Sequence, residues 1–130
     1  MTNATLDAFL NSHAIGGNAV ARQTAELVRH FANAAARMRK VINEGALGAA
    51  FGSARATANA GGDTQMDLDV FADDIFLAAA RQAPGVRWYA SEELPHPVAV
   101  APEGEIAVAI DPLDGSSNID TNVSIGTIFS

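Results

Sequence analysis

The stretch DPLDGSSNID, residues 111–120, sets three aspartates and a Gly-Ser-Ser turn between two apolar runs, EIAVAI before it and VSIGTIF after it. Carboxylates crowded together repel one another and protonate unless a cation neutralises them. Hard divalent cations such as Mg2+ take oxygen ligands, one or two carboxylates each together with substrate phosphate. The turn offers the complementary half. Glycine lets a backbone approach closely, and successive N–H groups of Gly115, Ser116 and Ser117 can form an anion nest at the start of a short helix. Metal ligands beside phosphate donors are the pairing that metal-assisted phosphoryl chemistry requires.

Other acids fall where elements should end. Asp63 stands just before a helical pattern and Asp69 in its first turn, Glu92-Glu93 follows VRWYAS, and Asp111 and Asp114 follow EIAVAID. If the two strands run parallel, their C-terminal ends share one sheet edge and bring Glu92, Asp111 and Asp114 together, the usual place for a site in such folds. Singly, each group has an ordinary explanation. Asp-Gly is common in turns, a Glu-Glu pair in a loop is usually solvated, and Asp73 and Asp74 are expected to face water. Glu-Glu at one strand end with DPLDGSS at the next is far more specific.

The elements that must position these residues are legible in outline. TLDAFLN suggests a short helix capped by Thr5. From about Asn18 to Asn43, Val20, Leu27, Phe31, Met38 and Ile42 recur at helical spacing, with Gly45 as a stop. Residues 45–62 are Gly/Ala-rich and read as a surface linker or as a mobile loop over a site. A further helix starts near Asp67 and ends before Pro84. VRWYAS, EIAVAID and VSIGTIF read as strands, with ELPHPVAVAPEG as a turn-rich connection. Helices first and strands after give an α+β or layered α/β arrangement.

Bulk properties agree with this picture. The 130 residues amount to one domain's worth, 48% are hydrophobic, and the mean hydropathy is +0.11. The absence of cysteine excludes disulfides and thiolate metal sites. A net charge of −7 argues against nucleic acid or an anionic membrane as partner. His13, His30 and His96 are scattered and read as structural or surface residues. No signal peptide or membrane-length apolar run is evident, so a cytoplasmic protein is the expectation. The end at GTIFS, inside an apolar run, reads as a fragment or as a strand that needs a neighbour.

An Asp, then Glu-Glu, then Asp-Pro-Leu-Asp-Gly-Ser resembles the signature of the lithium-sensitive, Mg2+-dependent sugar and inositol phosphatases. DPLDGSSNID followed by VSIGTIF is similar to class I fructose-1,6-bisphosphatases in particular, strongly from about Gly62 to Phe129 and less so across the N-terminal helices. The resemblance implies the N-terminal part of an α/β/α/β/α sandwich, Mg2+ (two or three ions, with Mn2+ as a substitute) and a homo-oligomer, a tetramer. It also implies hydrolysis of fructose 1,6-bisphosphate, or of sedoheptulose 1,7-bisphosphate, in gluconeogenesis or carbon fixation. A metal-binding regulatory domain is the non-enzymatic alternative. By resemblance, Asp111 bridges two cations, Asp114 and the Leu113 carbonyl bind one each, Glu92 is shared, and Asp63, in a mobile loop, helps hold a third. Glu93, paired with Asp69, activates the attacking water. Asp114, Gly115, Ser116 and Ser117 meet the substrate. The family's last metal ligand is a glutamate beyond residue 130. IGGNAVA (residues 15–21) and Glu105-Ile106 stand where animal-type members bind inhibitory AMP, and a glutamate in place of a lysine argues against that mode.

Overall fold

The computed structural model describes residues 5–43, 62–117 and 124–130, with side chains throughout except at residues 43 and 62–67. Three helices come first: α1 (Leu6–Ala14), α2 (Ala19–Asn43) and α3 (Gly62–Gln82). Four strands follow: β1 (Val86–Ser91), β2 (Val98–Ala99), β3 (Ile106–Asp114) and β4 (Gly126–Phe129). They form one mixed sheet in the order β2-β1-β3-β4, with β1 and β3 parallel and both outer pairs antiparallel. The α/β class is as expected, and the parallel pairing of β1 and β3 meets the condition on which convergence of the acids depended.

Local chemistry explains the helices. The Thr5 hydroxyl accepts the Ala8 N–H at 3.2 Å, capping α1 as the sequence suggested. The Asn18 side chain does the same for α2, accepting the Ala21 N–H at 2.9 Å. Arg29 ties the two together, reaching Asp7 at 3.0 Å and Asn11 at 2.6 Å. On α2, Leu27, Phe31, Ala34 and Met38 are buried at spacings of four, three and four. On α3, Leu68, Ala72, Ile75, Phe76, Ala79 and Ala80 are buried likewise. Phe31 meets Phe76 edge-on at 5.4 Å and Phe129 edge-on at 5.1 Å, locking α2 to α3 and to β4. Each such pair is worth about 0.5–1.5 kcal/mol beyond its buried area. On the sheet, Tyr89, Ser91, Val108 and Ile110 are buried, while Trp88, Ala107 and Ala109 are exposed.

Five expectations need correction. Helix α3 begins at Gly62, five residues before Asp67, so the Asp63 backbone lies in its first turn and not in a loop. The helix-compatible run GDTQM simply continues the pattern N-terminally; the rest of the 45–62 segment, Gly45 included, lies outside the described residues. Strand β3 runs on past Asp111 through Pro112-Leu113-Asp114, which therefore belong to the strand and not to a turn after it. Pro112 is tolerated in this interior strand because the β1 ladder stops at Ser91↔Ile110 and the β4 register shifts between Asp111 and Asp114. The Pro112 carbonyl instead accepts the Thr127 hydroxyl at 2.9 Å. The strand expected from VSIGTIF is shorter, starting at Gly126. Finally, the turn-rich connection contains β2, and Asp73 is buried; only Asp74 faces water.

Candidate active site

Strands β1 and β3 are paired in parallel up to Ser91↔Ile110, and the Glu92 N–H still donates to the Ile110 carbonyl at 3.0 Å. The chain then turns, with the Leu94 N–H donating to the Ser91 carbonyl at 3.2 Å and the Glu93 N–H to the Ser91 hydroxyl at 3.2 Å. Glu92 and Glu93 thus leave the sheet at the same level as Asp111. The side chains of Glu92 and Asp111 come within hydrogen-bonding reach of each other. Asp111 is oriented by its own strand, its Oδ1 accepting the Leu113 N–H at 3.1 Å.

Helix α3 brings a third wall. Asp69 Oδ2 accepts the Ser116 hydroxyl at 3.2 Å, which joins the helix to the turn after β3. Its other oxygen, Oδ1, is buried with no hydrogen-bond partner among the described residues. A buried orphan carboxylate oxygen is costly unless something positive or a donor meets it. Gly115 has a φ of 79°, a left-handed conformation that favours glycine. Ser116 and Ser117 follow in a tight 3₁₀ turn. A left-handed residue followed by right-handed ones turns successive N–H groups to one side, the geometry of an anion nest.

The electrostatics are those of acids short of counter-charge. Contact and repulsion with Asp111 raise the Glu92 carboxyl above its ordinary range, with Asp114 and Asp69 adding to the effect. Glu93 is raised by partial burial first and then by Asp69, Glu92, Asp111 and Asp73. Asp69 is raised by burial, opposed by the Ser116 hydrogen bond. A divalent cation would relieve all three, and an all-oxygen donor set suits a hard one. Among the described residues no three acidic or histidine side chains already form a group that could hold a metal. The set converges in field without closing into a cage, and the Asp63 side chain lies outside the description.

The structure brings together Asp69, Glu92, Glu93, Asp111 and Asp114, with Leu113 buried between the last two and Gly115 and Ser116 alongside. A shallow cleft of about 370 Å³ runs past Ser91, Glu92, Ile110 and Asp111. The larger groove of about 660 Å³ is apolar, lined by Phe31, Met38, Phe76, Leu113 and Phe129. Three neighbours of the site escaped the sequence reading. Asp73 is 4% exposed and accepts the Tyr89 hydroxyl at 2.8 Å, and Ser91 is 9% exposed. The signal existed: Asp73 stands four residues after Asp69, one turn along the same helix face, and the lone tyrosine lies on a strand opposite.

Comparison with known proteins identifies the family. The family model described as fructose-1-6-bisphosphatase, N-terminal domain, matches residues 4–130. A class 1 fructose-1,6-bisphosphatase of Rhizobium meliloti is 52% identical over the whole chain, which spans 37% of that relative's length. One from Paracoccus denitrificans is 69% identical over 72 residues, 55% of this chain and 22% of the relative. The crystal structure of Leishmania major fructose-1,6-bisphosphatase in holo form superimposes with a TM-score of 0.64 at 28% identity, covering 82% of this chain and 32% of that one. The chain belongs to the fructose-1,6-bisphosphatase family and corresponds to its N-terminal domain.

Proposed function

We propose that this chain supplies the acids and the phosphate-binding turn of a Mg2+-dependent phosphatase, one that converts fructose 1,6-bisphosphate to fructose 6-phosphate and phosphate. The observation that carries the reading is the parallel register that sets Glu92 against Asp111, with Asp69, Glu93 and Asp114 in the same field and the left-handed Gly115 beside them. Membership of the family and the names of the relatives support the substrate.

Bound at Asp63, Glu92, Asp111, Asp114 and the Leu113 carbonyl, divalent cations supply neutralisation of the acids and of the phosphate. Mg2+ fits the oxygen set, and Mn2+ can substitute. The chain's own groups do the rest. Glu93, with Asp69 behind it, accepts a proton from the attacking water as the water oxygen bonds to phosphorus. A carboxylate raised toward the working pH is a better general base than an ordinary one. The bond from phosphorus to the C1 oxygen breaks, and that oxygen takes a proton from solvent. The amides of Gly115, Ser116 and Ser117 hold the phosphate oxygens, and Asp114 borders them. The same reading makes the protein a cytoplasmic homo-oligomer; no helix among the described residues is long and apolar enough to cross a membrane.

The test is a chimera in which this chain replaces the matched part of the Rhizobium meliloti relative. Phosphate release from fructose 1,6-bisphosphate should depend on Mg2+ and stop on chelation. A folded chimera that releases no phosphate, beside an active parent relative, would overturn the proposal.

A further inference from the structure

Beneath the acids lies a polar group of a kind that sheet cores seldom contain. Asp73 on α3 is 4% exposed and Tyr89 on β1 is fully buried, and the phenol donates to Asp73 Oδ1 at 2.8 Å. Ser91 stands two residues on from Tyr89, buried on the same face of β1. The Ser91 hydroxyl in turn accepts the Glu93 N–H at 3.2 Å. A line of neighbouring buried polar groups therefore runs from the interior of α3, across β1, to the backbone of the residue proposed to take the proton. Burying a carboxylate and a phenol costs free energy that an apolar pair would not. Stability alone gives no reason to keep them. A rigid path to Glu93 does, because a small misplacement of a reacting group costs rate.

We infer that Asp73, Tyr89 and Ser91 are positioning residues that hold the Glu92-Glu93 turn, and through it the Glu93 carboxylate, in its working place. The inference rests on the proposed role of Glu93. The path acts on that turn in two ways. Ser91 meets Glu93 through its hydroxyl and Leu94 through its carbonyl, so one buried residue sets both bonds that close the turn. The Ser91 hydroxyl holds the Glu93 N–H, and Asp73 fixes the Tyr89 phenol that stands beside Ser91 on the same buried face of β1. Asp73 also belongs to the charges that bear on Glu93, which the same geometry keeps at constant distance.

Three variants test this: Ser91→Ala, the double variant Asp73→Leu/Tyr89→Phe, and Asp73→Asn. The double variant removes both members of a buried polar pair and leaves neither unsatisfied, so it should keep its melting temperature. Asp73→Asn keeps an oxygen acceptor for the phenol. In the 130-residue chain, Glu93 amide hydrogen exchange should speed up about tenfold in Ser91→Ala and in the double variant, and return toward the parent rate in Asp73→Asn. In the chimera, the first two should lose about tenfold in kcat with KM within about twofold, and Asp73→Asn should recover most of it. Parental Glu93 protection in both, or kcat following the melting temperature alone, would refute the inference. An inactive unsubstituted chimera would refute the proposed function, and the exchange rates would still decide the positioning claim.

Discussion

At the scale of single residues, the acids divide by what they touch. Asp114 is exposed and adds to the field on Glu92, so Asp114→Asn should weaken cation retention and cut turnover of the chimera by at least about 10²-fold without loss of fold. Near-normal turnover in Mg2+ would contradict its role. Glu93→Gln should lower kcat more than it raises the Mg2+ concentration required, since Glu93 is assigned to water. The opposite pattern in a Mg2+ titration would mean that Glu92 and Glu93 exchange roles. Tyr89 is the one tyrosine in the chain, which makes its titration readable by absorbance. Burial, then the hydrogen bond and charge of Asp73, with Asp74 further off, raise its pKa far above the ordinary value near 10. The folded state therefore keeps a proton that the unfolded chain loses above about pH 10, and stability, unaffected below that pH, falls as pH rises beyond it. Tyrosinate should appear only together with unfolding. A phenol that titrates freely near pH 10 in the folded chain would show the Asp73 contact to be absent in solution.

At the scale of elements, the β1–β3 pairing does the positioning, and its beginning is as constrained as its end. Gly104 is buried where the chain enters β3, next to the Ile106 N–H that donates to the Gly85 carbonyl at 2.9 Å. A Cβ there would lie 2.6 Å from the Arg87 nitrogen and the Gly85 oxygen. Backbone cannot yield as a side-chain tip can, so Gly104→Ala should cost about 1–3 kcal/mol and disturb the register. Calorimetry should record a lowered melting temperature, with phosphate release falling too. An unchanged melting temperature would mean that the strand start is looser than it stands here. The elements themselves were legible because apolar residues repeat with the helix period on α2 and α3. Their ends were not. The helix was started near Asp67, after the glycine-rich stretch that ends at Gly62, and β3 was ended at Asp111, before Pro112. Both residues are accommodated, Gly62 as the first residue of a helix and Pro112 where neither neighbouring ladder needs its missing N–H.

At the scale of the whole molecule, one sheet face is covered by helices and the other, among the described residues, stands open. Trp88 is 43% exposed and Ile128 60%, with Ala107 and Ala109 between them, while Phe129 turns the other way onto Phe31 of α2. Strand β4 ends the sheet, among the described residues, with a free edge. Apolar surface and an unpaired edge favour pairing with another chain. The 130-residue chain alone is therefore expected to self-associate, to bind Mg2+ weakly and to release no phosphate from fructose 1,6-bisphosphate. Sedimentation and a phosphate assay would check both parts. A monodisperse monomer with turnover like that of the chimera would defeat them.

The sequence by itself determined the chemistry. Oxygen-only donors, a glycine-serine turn between acids and strand-forming runs ahead of each acid are properties of residue type and spacing, and they survive any error in element boundaries. The tertiary structure decided which of those groups meet. Parallel pairing of β1 and β3 put Glu92 against Asp111, and helix α3 laid Asp69 on Ser116. It also decided that Asp73 faces inward. Local pattern cannot tell a solvated aspartate from a buried one, because the difference lies in a donor sixteen residues away, the Tyr89 hydroxyl, that only the packing of helix on sheet supplies.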